Sequence, residues 1–307
     1  MRDGRADSDQ PDVSVVIVTF DVLPKLRRCL ESIPAAVAGL RSEVMVVDNG
    51  YGDGTWAWLA GLENVRAIRG SPAMGFGAAV NLGLESATAR YVLILNPDTV
   101  LPPESVVSVA AVLDRETDIG IIGPKLVLGT GELDRASRRS FPSPASAISR
   151  MLRLDTIFRG SSIFGRYNLL HLDPEFAADV DAIAGAFMLI RSELFRALGG
   201  FDEGFWMYGE DLDICYRAHE AGWRVRYEAG VQVLHEKGSS SSRRRLKTRY
   251  EFYRAMARFY KKHQSPRRNP VLNRAVFAAI FALATAGLGK EIVRYTARYA
   301  SGNDVDS

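Results

Sequence analysis

Short unbroken apolar runs alternate with helical spacing along the first hundred residues. Val13-Ser14-Val15-Val16-Ile17-Val18-Thr19-Phe20 is β-branched and does not alternate with polar positions, which suits a strand covered on both faces. Pro24 to Ile33 has helical spacing, and Val44-Met45-Val46-Val47 is a second buried strand that stops at Asp48-Asn49-Gly50. A third short strand falls at Val65 to Ile68, a helix at Gly77 to Ala89, and a buried strand at Tyr91 to Leu95, which stops at Asn96-Pro97-Asp98. This alternation predicts a mostly parallel sheet with helices on both faces, an α/β core of Rossmann-like kind. Leu128 to Asp181, rich in Ser, Pro, Arg and Phe, predicts loops and short helices over the sheet. Ala182 to Ile190 is a further buried strand and Ser192 to Leu198 a short helix. Glu210 to Gly222 is helical through Leu212, Cys215, Tyr216 and Ala218, and Val231 to Leu234 leads into His235.

The pattern changes beyond Ser242. Leu246 to His263 predicts a basic amphipathic helix carrying Tyr250, Phe252, Tyr253, Met256, Phe259 and Tyr260. After Pro266 and Pro270, Ala275 to Gly289 is almost uncharged, yet shorter than the roughly 20 apolar residues of a membrane span. With Arg268, Arg274, Lys290 and Arg294 around it, this segment fits one that lies against a membrane interface. A core helix or one that forms a homo-oligomer is the competing reading. Three regions result: a polar leader over 1–12, an α/β domain over 13–242, and a helical, membrane-associating extension over 243–307.

Composition narrows this further. With 47% of residues apolar and 24% charged, the chain is globular rather than disordered. Cys29 and Cys215 lack metal-ligand or redox spacing, so they predict buried, reduced thiols and a cytoplasmic setting. The net charge is only +3, but Arg243 to Arg274 is crowded with Arg and Lys, and Glu251 is its one acid. Such a block suits anionic lipid, phosphorylated substrates or nucleic acid, or is simply a solvated helix face. No nucleic-acid recognition motif accompanies it.

The candidate chemistry lies where the strands stop. Thr19 with Asp21, Asp48 with Asn49, and Asn96 with Asp98 each follow a buried run, and ligands of open α/β sheets bind beyond the carboxyl ends of strands. Turn chemistry accounts for any one of these pairs alone. Asp98 suits a divalent cation held partly by substrate phosphate oxygens. Glu210 and Asp211 open a helix after Phe205-Trp206-Met207-Tyr208. Helix-terminus electrostatics explains one acid there. A carboxylate beside sugar-stacking rings also suits removal of a hydroxyl proton. His235, at a strand end, is structural or a metal ligand.

Taken in order, these pieces resemble the family 2 inverting glycosyltransferases of GT-A fold over roughly Val13 to Ser242. The resemblance is carried by Val15 to Phe20, Val46-Val47-Asp48-Asn49-Gly50 with Asp53-Gly54-Thr55, and Gly75-Phe76-Gly77 with Asn81. It continues through Leu95 to Asp98, Gly199 to Glu203, Tyr208 to Asp213, and His235. Within the family it is nearest to bacterial rhamnosyltransferases of cell-wall and O-antigen assembly. It implies a nucleotide-sugar donor, dTDP-L-rhamnose, and a polyprenyl-diphosphate-linked acceptor such as N-acetylglucosamine. It also implies a divalent cation, Mg²⁺ or Mn²⁺, and work at the inner face of the cell membrane. Thr19, Phe20, Asp48, Gly75, Phe76, Asn81, Asn96 and Asp98 are then expected around the donor, with Asp98 and His235 on the metal. Asp211 is the expected general base, and Trp206, Tyr208 and Glu210 meet the acceptor, whose diphosphate is expected at Arg243, Arg244 and Arg245. Tyr51 and Ser71-Pro72-Ala73-Met74 depart from the family pattern near the expected donor pocket. A nucleotidyltransferase, or a sugar- or lipid-binding module without catalysis, are the rival readings.

Overall fold

The computed structural model describes residues 10–50, 52–143, 166–237 and 245–300; Tyr51, Arg243 and Arg244 lie outside the described residues. Strand and helix alternate first through β1 (Val13–Thr19), α1 (Leu23–Ala36), β2 (Ser42–Asp48), α2 (Thr55–Leu59), β3 (Arg66–Arg69), α3 (Phe76–Leu84) and β4 (Tyr91–Leu95). There follow β5 (Thr99–Val100), α4 (Ser105–Arg115), β6 (Ile119–Val127), β7 (Ala178–Asp179), β8 (Phe187–Arg191) and α5 (Ser192–Ala197). The chain continues with α6 (Glu210–Glu220), β9 (Arg224–His235), α7 (Arg245–Phe259) and α8 (Pro270–Ala300).

The described strands form one sheet in the order β3-β2-β1-β4-β8-β6-β9-β5, with β7 beside β9. Alternate residues of β1 feed two cores. Val13, Val15 and Ile17 meet Leu26, Ile33, Val109 and Leu113, while Val16 packs with Ala79, Val80, Ile214 and Cys215. Burial on both faces is the physical reason that β1 shows no polar alternation. Cys29 and Cys215 are buried and unpaired, one in each core.

Two expectations change. β3, β2, β1 and β4 are parallel, but β8 runs antiparallel to both β4 and β6, so the sheet is mixed. A strand buried on both faces has the same apolar pattern in either direction, and only the connection before it decides which way it enters. β8 also begins at Phe187 rather than Ala182. Ala182 instead pairs with Arg139 in an isolated bridge, and the Ala186 carbonyl accepts the Asn96 N–H at 2.9 Å.

The C-terminal helices form an antiparallel hairpin, marked by Arg249–Glu291 at 3.0 Å and Tyr260–Asn273 at 2.8 Å. α7 and the turn after it dock on the sheet domain through Arg258 and Lys262 to Asp202 and through Lys262 and His263 to Asp213, each at 2.7 Å. The apolar run of α8 is longer than Ala275 to Gly289: within Pro270–Ile292 an 18-residue window reaches mean hydropathy 1.8, and none of that window is buried. At a rise of about 1.5 Å per residue this helix is long and apolar enough to cross a bilayer, by length and composition. The extension is possible because Val271 and Leu272 continue the apolar pattern across Asn273 and Arg274.

Candidate active site

Strand register gathers the expected residues. Thr19 pairs with Asp48 and Ile17 with Leu95, which aligns the three strand ends on one edge of the sheet. A cleft of about 570 Å³ opens there, a size suited to a small-molecule ligand. Phe20, Phe76, Asn96, Asp98, Arg139, Trp206, Tyr208, Glu210, Asp211 and His235 are among the residues that line it.

The Asp98 side is built by a turn. Thr99 donates its N–H and hydroxyl to the Asn96 carbonyl, at 3.3 and 2.7 Å, with Pro97 in the second position, where its fixed φ favours such a turn. β5 then pairs Thr99 with His235, and the Glu236 N–H reaches the Asp98 carbonyl at 2.8 Å. His235 Nε2 consequently lies 3.3 Å from Asp98 Oδ1. Its Nδ1 lies 2.9 Å from Asp134 Oδ2. A carboxylate only accepts, so Nδ1–H donates to Asp134, and a cation between Nε2 and Asp98 would take the place of a second ring hydrogen.

That arrangement fits a divalent cation. A histidine that ligates metal characteristically gives its other N–H to a carboxylate, which fixes tautomer and ring orientation. Burial opposes a charge on the His235 ring, but the hydrogen bonds to Asp134 and Asp98 outweigh it and raise the pKa. A cation at Nε2 meets the same negative surroundings. Among the described residues no group of three or more His, Cys, Asp or Glu side chains encloses a metal, so the remaining ligands are left to substrate oxygens and water. Asp134 is held at about 2 because hydrogen bonds from His235 and Lys237 outweigh its burial.

The Asp211 side is built at the start of α6. Gly209, at φ +86°, precedes the helix, a conformation that glycine adopts without strain. Glu210, Asp211 and Asp213 fill the first turn, where the helix dipole favours negative charge. Asp211 Oδ2 pairs with Arg139 Nη2 at 2.5 Å, with both side chains largely buried. The same guanidinium donates to the Ile183 carbonyl at 2.8 Å, and the Arg139 backbone exchanges two hydrogen bonds with Ala182. Glu210 is buried, and its Oε2 has no hydrogen-bond partner. Burial and then the adjacent Asp211 push its carboxyl up to about 8.

The other residues expected around the donor divide. Asp48 is buried, receives Arg69 Nη1 at 2.8 Å and the Gly50 N–H at 2.9 Å, and is raised because burial outweighs both. Thr19 is buried with its hydroxyl unpartnered. A side chain at Gly75 would collide with the Trp206 backbone at 2.7 Å, and the Phe76 N–H donates to the Trp206 carbonyl at 2.8 Å, so this glycine lets the two segments meet. The Asn81 amide bonds the Phe201 backbone and Glu203, and Asn81, like Thr19, Asp48 and Gly75, is not among the residues that line the cleft. It ties α3 to the Gly199-Gly200-Phe201 turn.

Trp206 donates Nε1–H to the Ala73 carbonyl at 2.9 Å, and Lys247 Nζ sits 3.6 Å from its ring centroid. Tyr208 packs edge-on against Phe252. Both rings are therefore backed by α7, which Arg245 opens. Arg243 and Arg244, the other expected diphosphate contacts, lie outside the described residues. Asp134, Arg139 and Lys237 were not singled out from sequence. Asp134 follows a Gly-rich turn, and Arg139 lies in the irregular stretch after β6, where nothing in spacing distinguishes it from neighbouring Arg138.

Residues 11–251 match the model of glycosyltransferase-like family 2. The N-acetylglucosaminyl-diphospho-decaprenol L-rhamnosyltransferase of Mycobacterium tuberculosis is 31% identical over 241 residues, 75% of this chain and 77% of that protein. Rhamnosyltransferase WbbL of Escherichia coli is 45% identical over 56 residues, 18% of this chain and 21% of that protein. Among solved structures, the mannosyltransferase PcManGT of Pyrobaculum calidifontis, in complex with GDP-Man and Mn²⁺, superposes with a TM-score of 0.55 at 17% identity. The match covers 97% of this chain and 77% of that one. The shared architecture is the GT-A fold.

Proposed function

The chain belongs to glycosyltransferase-like family 2, and from that premise we propose that it moves L-rhamnose from dTDP-L-rhamnose to a hydroxyl of lipid-diphosphate-linked N-acetylglucosamine, with inversion. The observation that carries the reaction is one cleft lined by Asp98, His235 and Asp211 together. The likeness to the mycobacterial rhamnosyltransferase supports the donor and acceptor. Asp98 and His235 would hold the divalent cation, which would supply positive charge to stabilise a departing diphosphate. Mn²⁺ in the structure of the mannosyltransferase supports that choice of cofactor class.

Asp211 removes the proton of the acceptor hydroxyl as that oxygen attacks the anomeric carbon. The bond from that carbon to the donor phosphate oxygen breaks on the opposite face, and its electron pair leaves with the nucleoside diphosphate. One displacement inverts configuration. Arg139 fixes the rotamer of Asp211 through a buried pair, which spares the reorganisation that a free carboxylate would undergo on each turnover. Trp206 and Tyr208 offer ring faces and edges to the acceptor sugar, with α7 behind them.

The setting follows from α8. Its unburied apolar surface, with Val271, Leu272, Phe281 and Ile292 exposed, and the basic residues before it suit the anionic inner face of a cell membrane. Deletion of residues 270–307 is expected to move the protein from membrane to soluble fractions; unchanged sedimentation would overturn the membrane assignment. The catalytic test is nucleoside-diphosphate release from a panel of nucleotide sugars, with Mg²⁺ or Mn²⁺ and a lipid-diphosphate N-acetylglucosamine acceptor. Release from dTDP-rhamnose that requires metal and acceptor is expected. Turnover of another donor instead would replace the sugar and leave the reaction class.

A further inference from the structure

Two adjacent carboxyls face the acceptor side of the cleft, and a single cation serves them. Arg139 gives Nη2 to Asp211 at 2.5 Å and to the Ile183 carbonyl at 2.8 Å. Asp213, the third acid of the turn, is matched elsewhere by Arg217, Lys262 and His263. Glu210 has none of these. The charged groups that face it are Asp211 and Asp213 on its own helix and Arg139 from the loop after β6. From α3 it meets only the Gly77 position, where a Cβ would stand 3.8 Å from its own.

Glu210 is 8% exposed, lines the cleft, and has an Oε2 with no partner. A buried oxygen of this kind costs about 1–3 kcal/mol unless something pairs with it. A second negative charge here would lie beside Asp211 in a poorly screened site with no cation of its own. We propose that Glu210 works as a neutral carboxylic acid whose O–H donates to an acceptor atom that carries lone pairs only, of the amide-carbonyl kind found on an N-acetylated sugar. The inference rests on the transferase reading above, in which the acceptor occupies this cleft. It adds a division of labour: Asp211 takes the hydroxyl proton, while Glu210 keeps its own and selects the acceptor. Burial and the neighbouring Asp211 keep the acid form at neutral pH.

The roles separate by charge state. An ionised Glu210 would accept from an acceptor hydroxyl, which the glutamine carbonyl also does without the charge. The alkaline limb and the carboxyl band, not tolerance of glutamine alone, therefore separate the two states. A neutral Glu210 donates, and the glutamine amide N–H₂ replaces that donor. The experiment compares the pH dependence of kcat/KM for the acceptor in wild type, Glu210→Gln and Glu210→Ala, each first checked for folding by circular dichroism. Wild type is expected to lose about tenfold per pH unit once the pH passes the Glu210 titration. Glu210→Gln is expected to fall less than about tenfold at neutral pH and to lose that alkaline limb. Glu210→Ala is expected to fall about 100-fold or more, mainly through acceptor KM, because a site that pairs a substrate group discriminates strongly against its loss. An acceptor without its N-acetyl group should remove most of the difference between Gln and Ala. Glutamine as damaging as alanine, or an alkaline limb that survives in Glu210→Gln, would overturn the proposal. Infrared spectroscopy tests the protonation state without turnover: a protonated-carboxyl band at neutral pH that vanishes in Glu210→Gln supports it, and no such band overturns it. Failure of nucleoside-diphosphate release with every donor would instead count against the transferase reading.

Discussion

Two pairs of acids stand at or behind the cleft, and they are neutralised in different ways. At Asp98, His235 bridges Asp98 and Asp134, and Lys237 adds a cation to Asp134 at 2.5 Å. At Asp211, Arg139 serves one acid and leaves an oxygen of its neighbour Glu210 unpaired. The first arrangement presents a lone pair and a carboxylate to a cation, with a second carboxylate behind to hold the ring. The second presents one carboxylate able to take a proton and one carboxyl already raised towards neutrality. On the roles proposed above, the number and placement of basic side chains, more than the acids themselves, would sort metal chemistry from proton chemistry in one cavity.

The comparison breaks most sharply at Asp211. Asp211→Asn keeps shape but removes the base, and kcat is expected to fall by about 10³-fold or more in steady-state release of nucleoside diphosphate. A loss within tenfold would remove Asp211 from the role. Next comes Arg139→Met, which leaves a buried carboxylate uncompensated. Breaking such a pair costs about 3–5 kcal/mol, to be read from urea unfolding, and Arg139→Lys should recover part of it. An unchanged midpoint would mean that the pair has no structural weight.

Asp134→Asn probes the other pair. It leaves Asp98 and His235 in place but weakens the hold on the His235 ring, so the metal concentration for half-maximal rate should rise about 10- to 100-fold. Titration of Mg²⁺ or Mn²⁺ against turnover measures this. An unaltered requirement would leave Asp134 a structural carboxylate only.

The smallest effect concerns acids with cations in excess, away from the cleft. Hydrogen bonds from Lys262, His263 and Arg258 outweigh burial and depress the pKa values of Asp202 and Asp213. The sign follows from depressed folded values: their stabilisation is full above the ordinary carboxylate range and is lost as pH falls through the lowered values. Limited proteolysis between α7 and the sheet domain should therefore be slow at neutral pH and rise only below about pH 4. Release at pH 6 would show that these pairs do not hold the hairpin.

Much of this molecule was legible in the linear chain. β1, β2 and β4 are written as unbroken apolar runs because both faces of each are covered, and the polar residues after them mark the ligand edge. The Asn-Pro-Asp turn and the acids before α6 are local too, since a turn or helix start depends on a few neighbouring residues. Asp134 and Arg139 were not legible. Each acts across a long separation, 101 residues to His235 and 72 to Asp211, and no local pattern distinguishes a loop residue that will be buried from one that will be solvated.

What the sequence determined by itself was therefore the inventory: which strands are buried, where they stop, and which acids stand at their ends. The tertiary structure decided the direction of β8, the use of Asn81 as a strut, and above all which carboxyl receives a cation. Burial pattern and turn chemistry are local properties of the chain, whereas charge balance inside a cleft depends on side chains that only folding brings within a few ångströms of one another.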